Sequence, residues 1–305
     1  MNLPLRAFAF TLALLTLPMA SGSDVYRWVD SQGNTHYDDK ASTNPAAVKL
    51  HVRAPIADPG TLADLQIDRH GDSSDVYVSN RLAGPVEIEL SLSKASNVMT
   101  DPELPLRQVL GANERALVSR IGAGRVDQPS SFVVGLLAVP GDPQTVARDV
   151  VYSLPVDENS GWQLGQTFGG GFSHTDEQNL YAVDIIVDQN TPILAARGGV
   201  VMQVESGFDS GGLNKETFGA RANLIRILHD DGSMAIYAHL RENGAMVRVG
   251  QKVSIGQLIG FSGNTGYSSG PHLHFCVQIN SAGRLVSIPF RMIGPNGFLP
   301  LPGHQ

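Results

Sequence analysis

The 305-residue chain has only one cysteine, Cys276. One cysteine cannot form a disulfide within the chain, so hydrophobic cores, with or without a metal ion, must hold the fold together. Cys276 also lies far from the N-terminal apolar run, which excludes a lipid-attachment cysteine directly after that run. Acidic residues outnumber basic ones to give a formal net charge of -7. This charge argues against binding to nucleic acid or to an anionic membrane surface by bulk attraction.

Long apolar segments are also scarce. Residues 7–17 form an apolar run after Arg6, and the small residues Ala20 and Ser21 follow it. A membrane-spanning helix needs about 20 apolar residues, so the run is short for a span and is typical of an export signal. We predict a signal peptide at residues 1–22, export to the periplasm or the medium, and no integral membrane span in the mature chain. A retained membrane anchor is the alternative.

Sustained helical periodicity is missing, whereas short alternating runs and 33 glycines are present. We therefore expect a mainly β fold. Residues 25–39 predict a β-hairpin around Gly33, and their Tyr and Trp pattern resembles a small domain of unknown function at the N-terminus of proteobacterial envelope proteins. The predicted divisions are a signal peptide (1–22), a small β-hairpin module with a linker (23–60), an antiparallel β-sandwich middle domain (61–155), a C-terminal compact β-sheet domain (156–290) and a tail (291–305). Residues 249–260 are predicted to form a hairpin within the C-terminal sheet.

The sequence His272-Leu273-His274 is the most informative motif. Residues i and i+2 of a strand point to the same face, about 6.6 Å apart, so one imidazole can hold a metal while the other reaches its bound water. Alternation places Leu273 and Phe275 on an apolar face and His272, His274 and Cys276 on the other. Two solvated polar positions on a strand are the other explanation, so the motif needs partners elsewhere in the chain.

Three other residues supply such partners. Asp184 lies within an apolar run, where a carboxylate needs an ion pair, a hydrogen-bond network or a metal. His174 follows a glycine-rich segment, and His239 lies on a further predicted strand, on the same face as Tyr237. A catalytic zinc site needs three protein ligands and an open position, and His174, Asp184 and His274 provide that set. His239 and His272 would then act as general base and oxyanion donor, in an order that the sequence leaves open.

Several ordered motifs carry a family resemblance, which spans about residues 161–279. Residues 181–184, 191–196, 229–232, 237–240, 249–251 and 262–275 together resemble the lysostaphin-type (LytM-like) zinc endopeptidases that cut cell-wall peptides. The resemblance implies His174, Asp184 and His274 as ligands of one Zn²⁺ per chain, and His239 and His272 as catalytic residues. Tyr237 and Asn264, which lie in the matching motifs, are predicted to bind substrate.

The first ligand departs from the common spacing of the family. Many members place that histidine four residues before the aspartate, where this chain has Leu180. Others place it farther upstream after a glycine-rich stretch, which fits His174. A mobile loop histidine beside an incomplete site is the alternative.

The resemblance implies an exported zinc metalloendopeptidase that hydrolyses peptidoglycan cross-links through a metal-activated water. Its partners would be peptidoglycan peptide stems and envelope proteins, with no nucleic acid. The alternative function is a catalytically quiet regulator or activator of other cell-wall hydrolases, since some relatives have lost their ligands. The presence of all five histidine and aspartate candidates favours the enzyme.

Overall fold

The computed structural model describes residues 24–29, 35–38, 48–51 and 62–302. These residues are almost entirely β-structure with one short helix, which confirms the mainly β fold. The predicted signal peptide, most of the linker and the last three residues lie outside the described residues. No helix in the described part of the chain is long and apolar enough to cross a membrane. The chain divides into two units between Asp58 and Pro59.

The N-terminal unit contains a three-stranded antiparallel sheet. Its strands are β1 (Asp24–Val29), β2 (Thr35–Asp38) and β3 (Val48–His51). β1 lies in the middle and pairs with both of the others. The antiparallel pairing of β1 with β2 is the hairpin that the sequence predicts around Gly33.

The second unit begins with two sheets that enclose one apolar core. The strands are β4 (Ala63–His70), β5 (Ser73–Asn80), β6 (Val86–Ser96), β7 (Val98–Asp101), β8 (Leu106–Leu110), β9 (Arg115–Ala123) and β10 (Ser131–Pro140). They form the sheets β4-β5-β9-β7 and β10-β6-β8, in which every pairing is antiparallel. Alternation explains the core, because Val76 and Val78 from one sheet meet Ile88 and Leu90 from the other.

The rest of the unit is built on a ten-stranded sheet. The elements are β11 (Val151–Ser153), β12 (Gln163–Leu164), β13 (Ala182–Ile186), β14 (Pro192–Leu194), β15 (Gly199–Glu205), β16 (Gly211–Gly212), α1 (Lys215–Phe218), β17 (Asn223–Leu228), β18 (Met234–Ala245), β19 (Lys252–Val253), β20 (Leu258–Ser262), β21 (Gly266–Tyr267), β22 (Leu273–Asn280), β23 (Leu285–Ile288), β24 (Arg291–Gly294) and β25 (Gly297–Phe298). The main path of the ten-stranded sheet is β12-β13-β22-β18-β17-β15-β19, and β14, β20 and β23 pair off this path. The other strands form the small sheets β11-β24-β25 and β16-β21. The main path brings β13, β18 and β22 side by side, although they are far apart in sequence.

Two predictions about the C-terminal region are wrong. Residues 249–260 form no hairpin, because β19 pairs with β15 whereas β20 pairs with β14 and β18. The segment predicted as a tail contains β24, which pairs in parallel with β11. Both errors concern short strands whose partners are distant in sequence, so local patterns give no information about the pairing.

The sandwich packs directly against one face of the large sheet. Met202 and Met234, on β15 and β18, belong to the core of the sandwich. The Ala83 amide donates to the Met202 carbonyl at 3.0 Å. Nearby, the side-chain amide Nδ2 of the buried Asn280 donates to the Glu87 carboxylate at 2.8 Å. The sandwich therefore forms a wall beside this face of the sheet.

Candidate active site

The strand β22 has the alternation that the sequence predicts. Leu273 and Phe275 are fully buried in the main core, while His274 and Cys276 lie on the opposite face of the sheet. His272 precedes the strand and forms an isolated antiparallel bridge with Gly263. Both histidines of the motif therefore reach the same region, on the face away from the core.

Asp184 on β13 lies directly opposite His274 in the antiparallel ladder. Its Oδ1 is 3.1 Å from Nδ1 of His274 and 3.2 Å from Nε2 of His174. The carboxylate is buried. Burial opposes the charged form, but hydrogen bonds with the two imidazoles hold the pKa of Asp184 well below its ordinary value.

His174 is fully buried. Its backbone amide donates to the Gly170 carbonyl at 2.9 Å, so a turn of the glycine-rich loop holds it in place. Its Nδ1 lies 2.9 Å from the Thr167 carbonyl and donates to it. A carbonyl can only accept, so Nδ1 carries a proton, and Nε2 faces Asp184. The placement does not fit a mobile loop histidine.

His174, Asp184 and His274 form a His-Asp-His metal site. One ligand atom from each lies within 4.8 Å of the other two, and all three residues are buried. Two imidazoles and one carboxylate around a common point are a donor set that zinc accepts. The contact from Nδ1 of His174 to a backbone carbonyl is also the usual support of a metal-binding histidine. The residues present therefore fit a zinc ion, the cofactor predicted from sequence.

His239 reaches this site through a β-bulge in β18. Its φ is +62°, and the pairing with β17 shifts register between Ala238 and Leu240. The extra residue turns the His239 side chain to the face of Ala238, opposite Tyr237. The prediction that His239 and Tyr237 share a face is therefore wrong, because strict alternation does not hold through a bulge.

The rings of His239 and His272 lie side by side, with centroids 4.6 Å apart. Nδ1 of His239 is 2.7 Å from the Thr265 carbonyl, and Nδ1 of His272 is 2.8 Å from the Gly270 carbonyl. Both rings therefore carry their proton on Nδ1 and present an unprotonated Nε2. Burial, followed by the nearby imidazoles, lowers the pKa of His239 to about 3. Burial also lowers the pKa of His272, so both rings are neutral at pH 7.

Tyr237 lies in the main core, not in the site. It is fully buried, and its hydroxyl accepts a hydrogen bond from the Ala196 amide at 2.8 Å. Burial raises its pKa well above the ordinary value. A residue on the core face cannot contact a substrate at the metal site, so the substrate-binding prediction for Tyr237 is corrected.

Asn264 is half-buried in the loop between β20 and β21. Its Oδ1 accepts a hydrogen bond from the Ser268 hydroxyl at 2.7 Å. This contact orders the loop that carries Thr265 and leads to His272. A direct contact with substrate stays a prediction.

Gln166 is a site residue that the sequence reasoning missed. Its Nε2 donates to Asp184 Oδ2 at 3.0 Å and to the Ser173 hydroxyl at 3.0 Å. Its Oε1 accepts from the Phe172 amide at 3.0 Å. A single glutamine in an irregular segment carries no periodic signal, so only its position in space shows its connection to the site.

Two cavities meet at the site. The larger, of about 1050 Å³, is lined by His239 and His274 and continues to the sandwich wall at Val139. The smaller, of about 370 Å³, is lined by Asp184, His239 and His272. Phe172 and Tyr267 line both cavities, and their rings stack with planes 7° apart. The site therefore opens onto a groove with space for a peptide on either side of an aromatic pair.

The site and the sheet define a class of protein, one of mainly β fold with a buried His-Asp-His site that fits a zinc ion. Comparisons with known proteins show which families two parts of the chain match. Residues 178–285 match Peptidase family M23, and residues 12–59 match a domain of unknown function, DUF4124. The chain thus contains an M23 peptidase domain with lysostaphin-type relatives and carries a DUF4124 domain at its N-terminus.

Curated relatives match the same part of the chain. Glycyl-glycine endopeptidase ALE-1 of Staphylococcus capitis is 38% identical over 104 residues, which are 34% of this chain and 25% of the relative. Peptidoglycan DD-endopeptidase ShyA of Vibrio cholerae is 33% identical over 124 residues, which are 40% of this chain and 25% of the relative. The chain therefore spans about a quarter of the length of these relatives.

A solved structure is also similar. The catalytic domain of lysostaphin from Staphylococcus simulans is 30% identical, with a TM-score of 0.32, and the match covers 42% of this chain and 88% of that domain.

Proposed function

We propose that the protein is an exported zinc endopeptidase that hydrolyses peptide cross-links of peptidoglycan. His174, Asp184 and His274 are the proposed zinc ligands, and His239 and His272 are the proposed catalytic residues. The observation that carries the proposal is the buried cluster of three ligand atoms beside two neutral imidazoles in a peptide-sized groove. The names of relatives such as the peptidoglycan DD-endopeptidase of Vibrio cholerae support peptidoglycan as the substrate.

When bound, zinc lowers the pKa of a water ligand toward about 7 and polarises the carbonyl that is attacked. The chain's own residues supply the proton transfer. His239 and His272 are neutral and have Nδ1 tied to backbone carbonyls, so each offers Nε2 as a proton acceptor. Once protonated, the same Nε2 can donate to a developing oxyanion or to the leaving amine. Because the rings are 4.6 Å apart, repulsion disfavours protonation of both at once.

The groove orients the substrate. Its walls come from the loop with Phe172 on one side and the loop with Tyr267 on the other. A peptide that passes the metal site would contact both loops. Export is supported by the apolar run at residues 7–17 with its flanking residues and by the wall-directed activity in the names of the relatives.

The test uses the zinc-loaded chain without residues 1–22 on cross-linked muropeptides, with products identified by mass spectrometry. We expect cleavage of the cross-link, loss of activity with a chelator and recovery with zinc. His274→Ala should lose both zinc and turnover, whereas His70→Ala, at an exposed position of the sandwich, should keep both. Intact substrates in the presence of bound zinc, under conditions where a known hydrolase digests them, would contradict the proposal. Stimulation of another wall hydrolase by the His274→Ala variant would instead support the regulator.

A further inference from the structure

Arg226 is a buried cation on the same face of the large sheet as the metal site. It lies in β17 and is only 6% exposed. In the ladder it is opposite Ile236, and Ile236 is opposite Cys276, two residues from His274. Directly paired residues share a face, so Arg226 points to the side of the sheet on which His274 lies.

The guanidinium of Arg226 has only neutral partners. Its Nε donates to Gln203 Oε1 at 3.2 Å, and its Nη1 donates to Gln278 Oε1 at 2.8 Å. Within residues 62–302, Arg226 forms no ion pair with a carboxylate, and Nη2 makes no hydrogen bond. Cys276 is close by, but burial raises the pKa of its thiol to about 12, so it carries no charge at neutral pH.

An uncompensated buried charge is costly. Removing a guanidinium from water costs several kcal/mol unless an anion or hydrogen bonds offset the loss. Burial lowers the pKa of Arg226 only to about 10, so the side chain stays charged at pH 7. The two glutamines fix its orientation without neutralising it. An anionic ligand that reached the guanidinium would therefore offset this cost.

The groove connects Arg226 to the metal site. The cavity of about 1050 Å³ is lined by Arg226 and Gln278 as well as by His239 and His274. Two strand spacings and two residues separate Arg226 from His274, which places their Cα atoms roughly 12 Å apart. An extended peptide advances about 3.3 Å per residue, so this separation corresponds to three or four residues.

We propose that Arg226, oriented by Gln203 and Gln278, binds a free carboxylate of the peptide substrate three or four residues from the cleaved bond. The proposal rests on the proposed endopeptidase function and adds a substrate class to it, namely acidic cell-wall peptides. A carboxylate at the chain terminus and one on a side chain offer the same chemistry. In either case, charge-assisted hydrogen bonds from Nη2 of the Arg226 guanidinium would hold the carboxylate.

The test measures kcat and KM of the zinc-loaded protein on three forms of one cross-linked muropeptide. The first has all carboxylates free, the second has amidated C-termini and the third has amidated side-chain carboxylates. We expect one of the two amidations to raise KM roughly tenfold or more, the effect of losing a charged hydrogen-bond partner, with little change in kcat. The amidation that has this effect identifies the source of the carboxylate.

Variants then assign the effect to Arg226. Arg226→Met should raise KM for the free-carboxylate peptide by a similar factor and should no longer distinguish it from the amidated forms. Arg226→Lys should recover part of the preference. Arg120→Met is the matched control, because Arg120 pairs with Asp75 at an exposed position of the sandwich. It should retain the wild-type preference.

The wild-type comparison decides the question even if Arg226→Met does not fold. Equal KM values for all three peptides would overturn the carboxylate site while the endopeptidase stands. If no peptide is cleaved, the endopeptidase function fails, and calorimetric binding of the same peptides still tests the site. Binding weakened by amidation would then support it, and equal binding would overturn it.

Discussion

Gln166 donates a hydrogen bond to Oδ2 of Asp184 at 3.0 Å, while Oδ1 of the same carboxylate faces His174 and His274. The two oxygens thus have separate roles, one toward the metal site and one toward a support. The same glutamine holds the Phe172 amide, so the metal site and the loop that lines the groove share one anchor.

We expect Gln166→Leu to weaken zinc binding by roughly 10- to 100-fold, as the loss of a hydrogen bond to a metal ligand does in other sites. The carboxylate would lose its fixed orientation, and the loop would lose its anchor. Competition with a chromophoric chelator measures the affinity. Gln66→Leu, at an exposed position of β4, is the control and should bind zinc like the wild type. An unchanged affinity in Gln166→Leu would show that the carboxylate is held by the histidines alone.

Tyr237→Phe should affect stability and leave catalysis intact. The change removes the acceptor of the buried Ala196 amide, and an unsatisfied buried donor costs about 1–3 kcal/mol. We expect the free energy of unfolding in urea to fall by that amount, while kcat and KM stay within about twofold. His239→Ala provides the contrast, since it should lose turnover with a smaller effect on stability. A large rise in KM for Tyr237→Phe would restore the substrate-binding role.

The parts of the site that the sequence could predict are those that depend on local alternation. The placement of His272 and His274 away from the apolar face follows from residues next to them in sequence. That Asp184 lies opposite His274 depends on the order of strands in the sheet, which no local pattern contains, so it could be inferred only through the family resemblance.

Other features depend on contacts that the sequence does not reveal. The bulge at His239 is accompanied by a contact with the distant Thr265 carbonyl, and it reverses the face that alternation predicts. The roles of Gln166 and Arg226 follow only from their positions in space, Gln166 beside Asp184 and Arg226 in the groove. Their residue types are equally compatible with an exposed surface, and the hydrophobic pattern constrains neither of them.

His229 should make the stability of the protein depend on pH. The side chain is buried and its Nδ1 lies 2.9 Å from the Gly198 carbonyl, while its Nε2 has no hydrogen-bond partner within the described part of the chain. Burial lowers its pKa from 6.5 to about 4. Between these values the unfolded chain binds a proton that the folded protein excludes, so stability is lost as the pH falls from about 6.5 toward 4.

We expect the wild type to lose about 2 kcal/mol more than His229→Gln between pH 7 and pH 4.5. Urea titrations at a series of pH values measure this difference. Both proteins are measured without zinc. Protons that compete with zinc for its ligands at low pH then do not contribute to the measured difference in stability. Parallel pH profiles for the two proteins would contradict the expectation.

Gly263 packs against the backbone of β18 near the two proposed catalytic histidines, and it leaves no room for a side chain. A Cβ at this position would lie 2.4 Å from the Arg241 amide nitrogen and 2.5 Å from its Cα. These are backbone atoms that cannot rotate away. Gly263 also bridges to His272, and Arg241 is two residues beyond His239. A movement that relieves the contact would therefore shift the segment of His239 relative to that of His272.

Gly263→Ala should consequently destabilise the protein by about 1–3 kcal/mol, the usual cost of overpacking, and should lower kcat more than it lowers zinc content. The ligands His174, Asp184 and His274 lie on other segments, so they should still bind zinc. Gly207→Ala is the control, because nothing lies within 4 Å of a Cβ there. Urea denaturation, zinc analysis and kcat on the muropeptide separate the effects. If the Gly263 variant matched the control in stability and kcat, the close approach of β18 and β20 would have no role in placing His239 beside His272.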